Sequence, residues 1–141
     1  MEWNYYNTFI TVSADCPAEA GTVPAGKKAG RTKPEIEFEL LSAEPYRYTQ
    51  EELLYEVHVR HKEIPEEEQA AHGTRLRDEF YQKPQPCLRA SMLPKKYGWG
   101  LHFDGEGRIS LYPVESPDYR QFVEGKRGTV RLLAAMRNSR K

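Results

Sequence analysis

Residues 99–112, Trp99-Gly100-Leu101-His102-Phe103-Asp104-Gly105-Glu106-Gly107-Arg108-Ile109-Ser110-Leu111-Tyr112, decide the architecture. Asp104 is suited to the first position of a type I turn. Gly107 is suited to the left-handed residue that closes a three-residue hairpin loop with a bulge. That turn pairs Asp104 with Arg108 and, counting outward, Phe103 with Ile109, His102 with Ser110, Leu101 with Leu111 and Gly100 with Tyr112. Apolar then faces apolar and polar faces polar, so turn chemistry and side-chain alternation give one register. The pattern predicts Trp99, Leu101, Phe103, Ile109 and Leu111 toward a core. His102, Ser110 and Tyr112 fall on the opposite face, with glycines leaving room beside them.

Working toward the N-terminus, residues 87–90 (Cys87-Leu88-Arg89-Ala90) read as a short strand beside the hairpin, which would bring Arg89 and Ser91 onto the His102 face. Residues 6–13 (YNTFITVS), rich in β-branched and aromatic side chains, read as a first strand. Between them lie helix signals. Thr32-Lys33-Pro34-Glu35 and Thr49-Gln50-Glu51-Glu52 each place a threonine cap three residues before an acid. They open segments reaching about Ala43 and Ile64. In the second, Tyr55, Val57 and Val59 also alternate as a strand would, and the capping box favours helix. Pro65-Glu66-Glu67-Glu68 starts a third helix, interrupted near Gly73 and resumed to about Tyr81. Ser116-Pro117 caps a short one, and Val130, Leu133, Ala134 and Met136 suggest a last basic helix. Residues 14–33, with two prolines and three glycines, read as a long mobile loop. The fold class expected is α+β: an antiparallel sheet with helices packed mainly on one face, in a single domain over residues 1–141.

Composition narrows the function classes. Sixteen aromatic residues set the chain apart from disordered polar sequences. Its longest apolar run, residues 132–136, is far short of the roughly 20 residues that cross a bilayer. An acid at Glu2 stands where a secretory leader carries a base, so export is not expected. Two cysteines cannot build a multi-bridge framework, which fits a reducing compartment. Residues 35–79 carry thirteen acidic against five basic side chains, and residues 80–141 carry twelve basic against five acidic. Mutual neutralisation of packed segments accounts for this better than a nucleic-acid face.

The segments Tyr5-Tyr6-Asn7-Thr8-Phe9-Ile10, Asp15-Cys16-Pro17, Pro45-Tyr46-Arg47-Tyr48-Thr49, Cys87-Leu88-Arg89-Ala90-Ser91 and Tyr97-Gly98-Trp99-Gly100-Leu101-His102 carry a resemblance over nearly the whole chain. It is to a family of small bacterial proteins catalogued as a domain of unknown function. The resemblance implies a bacterial, cytoplasmic protein and brings no catalytic residues with it.

Each candidate for chemistry has a plainer reading. Residues 21–28 (GTVPAGKK) match a phosphate-binding loop until Lys28, where a magnesium-holding hydroxyl belongs. Pro24 removes a cradle amide, and no helix start follows directly. Nucleoside triphosphate binding is therefore not expected. His58 and His61 share a helical face, but metal centres need three or four convergent ligands, so no metal and no cofactor are expected. His72, beside Gly73, reads as solvent-facing. Lys95-Lys96-Tyr97-Gly98-Trp99 has the composition of a stacking platform for single-stranded nucleic acid, and zero net charge argues against it. Cys87 or Cys16 could serve as a nucleophile with His102 as base. A small anion or carboxylate would suit Arg89, Ser91, His102, Ser110 and Tyr112, against the plain reading of a solvated sheet face. The residues favour a non-enzymatic small-molecule-binding or accessory protein. The alternative is a small thiol-dependent enzyme. No membrane partner is expected, and the oligomeric state stays open.

Overall fold

The computed structural model describes residues 4–24 and 32–137. In chain order the elements are β1 (Thr8–Thr11), α1 (Lys33–Ala43), α2 (Gln50–His61), α3 (Glu66–Gln82), a single 3-10 turn (Leu88–Ala90), α4 (Met92–Lys95), β2 (Trp99–Phe103), β3 (Ile109–Pro113), α5 (Pro117–Val123) and β4 (Arg131–Ala134). The four strands form one mixed sheet in the order β3-β2-β1-β4.

The β2–β3 hairpin has the register expected from the sequence, with His102 opposite Ser110 and Leu101 opposite Leu111. Its turn is held by Asp104. The carbonyl accepts from Gly107 N, while Oδ1 accepts from Glu106 N and Arg108 N at 2.9 Å each. Gly107 adopts φ 81°, the left-handed conformation the bulge requires.

Both capping boxes form. Thr32 Oγ1 accepts from Glu35 N as the Glu35 carboxylate accepts from Thr32 N, and Thr49 and Glu52 repeat the exchange. The strand alternative for residues 53–61 falls away because α2 is buried on more than one side. Leu53 and Val57 enter the main core, and Tyr55 meets Phe80 of α3 edge-on and lies against the tilted ring of Tyr81. A helix packed on two sides buries alternate residues and so imitates a strand. α3 is kinked at His72, beside the glycine that marked the interruption, and buries no residue.

Four expectations are corrected. Residues 87–90 form no strand. Cys87 is still extended, and the buried Gln50 side chain accepts from Leu88 N at 2.9 Å, where the turn begins. Ala90 N then closes a tight turn onto Cys87 O. Residues 131–134 are a strand, not a helix. The free edge of β1 offers the Asn7 and Thr11 carbonyls, which accept from Arg131 N and Ala135 N. Satisfying that edge overrides the high helix propensity of Leu, Ala and Arg, which amounts to only a few tenths of a kcal/mol per residue. β4 runs parallel to β1, so the sheet is mixed, not wholly antiparallel. Helices also cover both faces. Ile36, Leu40, Leu53 and Val57 pack against Ile10, Leu101 and Phe103, whereas Tyr119 and Phe122 of α5 cover Phe9 on the other face.

Residues 14–24 lie against the hairpin. Thr22 N donates to Tyr97 O, Trp99 Nε1 donates to Thr22 O, and Gly21 N donates to Glu115 Oε1. Residues 25–31, which contain the end of the phosphate-loop match with Lys27 and Lys28, lie outside the described residues.

Candidate functional site

The apolar stripe of α1 contains one carboxyl. Ile36, Leu40 and Leu41 are turned to the core, and Glu37, three and four residues before the two leucines, is carried in with them at 9% exposure. Its Oε1 accepts a 2.7 Å hydrogen bond from Ser91 Oγ, whose oxygen in turn accepts from Leu93 N as the cap of α4. Among the described residues the Glu37 carboxyl has no other hydrogen-bond partner. Burial pushes its carboxyl up to about 7. The Ser91 hydrogen bond and the nearby Lys33 ammonium pull the other way.

Glu37 lines a cavity of about 270 Å³ between α1, α2, the end of α3 and residues 85–92. Pro34, Leu54, Val57, Phe80 and Met92 give it mainly apolar walls, and the polar groups are Glu37, Ser91, Cys87 and Gln85, with Lys33 at its edge. Cys87 Sγ accepts a 3.3 Å hydrogen bond from Tyr5 Oη. Burial, then the Cys87 contact, pushes the Tyr5 phenol up to about 12, so Tyr5 stays a donor at neutral pH. Tyr5 is in turn braced edge-on against Phe103. A mostly apolar cavity with a few converging polar groups, one of them a perturbed carboxyl, has the make-up of a small-molecule site.

The residues singled out in the sequence are distributed differently from the expectation. Ser91 and Cys87 are at this cavity. Arg89 is not, since its Nε donates to Ala134 O and its carbonyl accepts from Met136 N, clipping the edge of β4. His102, Ser110 and Tyr112 share the opposite sheet face, as the register requires. That face is covered, not solvated. The His102 ring stacks on Phe122 at 4.4 Å, and Ser110 is buried. Gly100 leaves no vacancy, because a methyl there would meet Phe9 and Tyr119 at 2.6 and 2.7 Å. Tyr46, which the sequence reading did not place at a site, joins the set. Its hydroxyl is 2.8 Å from His102 Nδ1 and 2.8 Å from Tyr112 Oη. A backbone φ of 60° at Tyr46, strained for a non-glycine residue, brings it there. Burial holds the His102 imidazole below its usual range. We read this cluster as a latch that ties residues 45–48 to β3, since Tyr46 N also donates to Ile109 O.

His102 and Cys87 lie on opposite sides of the sheet, for Leu88 enters the main core with Leu101 while His102 packs on α5. No hydrogen bond among the described residues joins either thiol to His102, and Cys16 Sγ donates to Ala18 O. His58 stacks on Phe80 at 4.6 Å, and among the described residues no group of three His, Cys, Asp or Glu side chains could hold a metal ion. Trp99 is spent on Thr22 and Phe38.

The sequence analysis did not single out Glu37, one of three glutamates at positions 35, 37 and 39 of the predicted helix. The available signal was its spacing of three and four from Leu40 and Leu41.

The chain is thus a mixed α/β protein with a four-stranded sheet and a carboxyl-bearing cavity beneath its first two helices. It belongs to DUF6157, a family of unknown function whose profile matches residues 1–141. None of the curated proteins and none of the solved structures matches it.

Proposed function

We propose that this protein binds a small, mainly apolar molecule whose hydrogen-bond donor, an amine or amide N–H, meets Glu37 in the cavity beneath α1 and α2. The observation that carries this reading is a buried carboxyl with a single hydrogen bond, opening on apolar walls. No buried side-chain oxygen among the described residues lacks a partner, so the second carboxyl oxygen reaches the solvent of the cavity, and a donor brought in by a ligand would take the place of water there.

Phenethylamine and 2-phenylethanol, titrated while backbone amide resonances are followed, test the reading. Saturable shifts confined to residues such as Glu37, Val57, Phe80 and Ser91 are expected, and Leu54→Trp, which fills the cavity, should abolish them. Glu37→Gln should weaken the amine roughly tenfold or more and the alcohol little. Unsaturable shifts, or shifts scattered over the surface, would refute it.

A second reading uses Cys87 as a nucleophile with Glu37, not His102, taking its proton. It is supported by the two side chains lining one cavity. In a Cys16→Ser background, alkylation of Cys87 with a midpoint well below the ordinary thiol value of about 8.5, moved by Glu37→Gln, would favour it. An ordinary profile unaffected by Glu37→Gln would exclude it. We assign the protein to the bacterial cytoplasm. That assignment is supported by the two free cysteines, which fit a reducing compartment.

A further inference from the structure

A second cavity of about 370 Å³ adjoins the first, sharing Lys33, Phe80 and Gln85 with it and adding His58, Glu79 and Lys83 among its lining. This outer chamber is bounded by the first turn of α1, the middle of α2 and the end of α3. Its charges are not balanced. Among its described lining residues Lys33 and Lys83 are exposed cations, and the one acid, Glu79, is already paired with Arg75 Nε at 3.3 Å. Lys62 and His61 follow at the end of α2. Their field converges on His58: burial first, then Lys62, Lys33, His61 and Lys83, hold its imidazole below the usual range. An inner chamber that asks for a donor and an outer one that asks for negative charge describe the two ends of one occupant.

We propose that the outer chamber receives a carboxylate or similar acidic group, so that the ligand is a two-ended molecule: an amine or amide donor at Glu37, an apolar middle against Leu54, Val57 and Phe80, and an acid between Lys33 and Lys83. The inference rests on the binding reading above and adds the second anchor to it. Small amino acids with donor and acid on one carbon do not fit this arrangement. Molecules that hold the two groups apart on an aromatic or short aliphatic spacer do.

The test compares 4-(aminomethyl)benzoate with 4-(aminomethyl)benzamide, identical except for the charge at the outer end. Taking the ratio of their affinities within each protein cancels any effect of a substitution on Glu37. In the wild type at low ionic strength the carboxylate should bind roughly fivefold tighter, as two partly screened ion pairs would provide, with the advantage shrinking in about 0.5 M salt. Lys83→Gln should reduce the ratio, and Lys83→Glu should bring it below one. Lys83 is exposed at the end of α3, so these variants should fold as the wild type does. Equal affinity of the two probes in the wild type, or a ratio indifferent to Lys83→Glu, overturns the outer anchor while leaving the Glu37 reading intact. Failure of both probes to bind overturns both.

Discussion

Urea denaturation of the wild type and of Glu37→Gln, compared from about pH 4 to pH 9, isolates the cost of keeping the carboxyl inside. The glutamine keeps the size of the side chain and an oxygen to accept from Ser91, but it does not titrate. Burial raises the Glu37 carboxyl from 4.5 in the open chain to about 7 in the fold. The folded state therefore binds the proton more tightly than the unfolded state, and stability falls as pH rises between those values. Below 4.5 the carboxyl is neutral in both states and costs nothing extra; above about 7 the penalty is complete. A difference of about 2.5 units at about 1.4 kcal/mol each amounts to about 3 kcal/mol. His58 and His102, whose imidazoles are held below their usual range, act with the opposite sign, since the unfolded chain binds their protons more readily. Only the difference between the two proteins is therefore diagnostic. It should move by about 3 kcal/mol in favour of Glu37→Gln from acid to neutral pH and be flat beyond. Parallel stability curves across that window would refute a buried, poorly compensated carboxyl.

Leu101 is fully buried in the main core, so Leu101→Ala should cost roughly 2–5 kcal/mol in chemical denaturation. His102→Ala, losing a hydrogen bond and a stacked ring, should cost only about 1 kcal/mol, and an equal cost for the two would undo the assignment of faces. Gly100→Ala would press a methyl on Phe9 and Tyr119 and should destabilise by about 1–3 kcal/mol; a neutral effect would mean the second face is looser than described. Hydrogen exchange should find the Arg131 and Ala135 amides protected by their bonds to β1. Helix-like protection running without a break through residues 130–136 would contradict the parallel strand.

What could be read from the sequence was whatever local chemistry decides. The hairpin register was legible because Asp104 and Gly107 specify the turn and the alternation of Leu101, Phe103, Ile109 and Leu111 independently specifies the faces. Threonine caps with glutamates three residues on marked the starts of α1 and α2 for the same reason. The errors came where a distant group decides. The conformation of residues 87–90 depends on the Gln50 side chain reaching Leu88 N, thirty-eight positions away. β4 exists because β1 had an edge to fill. At the candidate site, Ser91 and Cys87 were named, but with partners across the sheet. Glu37, which gives the cavity its character, was hidden because nothing in an alternating acidic stretch says which carboxyl the rest of the fold will enclose.

The most direct test of the central claim is a carbon-13 NMR titration of the Glu37 carboxyl, free and saturated with phenethylamine. The free protein should show a midpoint near 7, and an ammonium group seated against the carboxylate should lower it by a unit or more. A midpoint near the open-chain value of 4.5, or one that the amine leaves unchanged at saturation, would contradict the site.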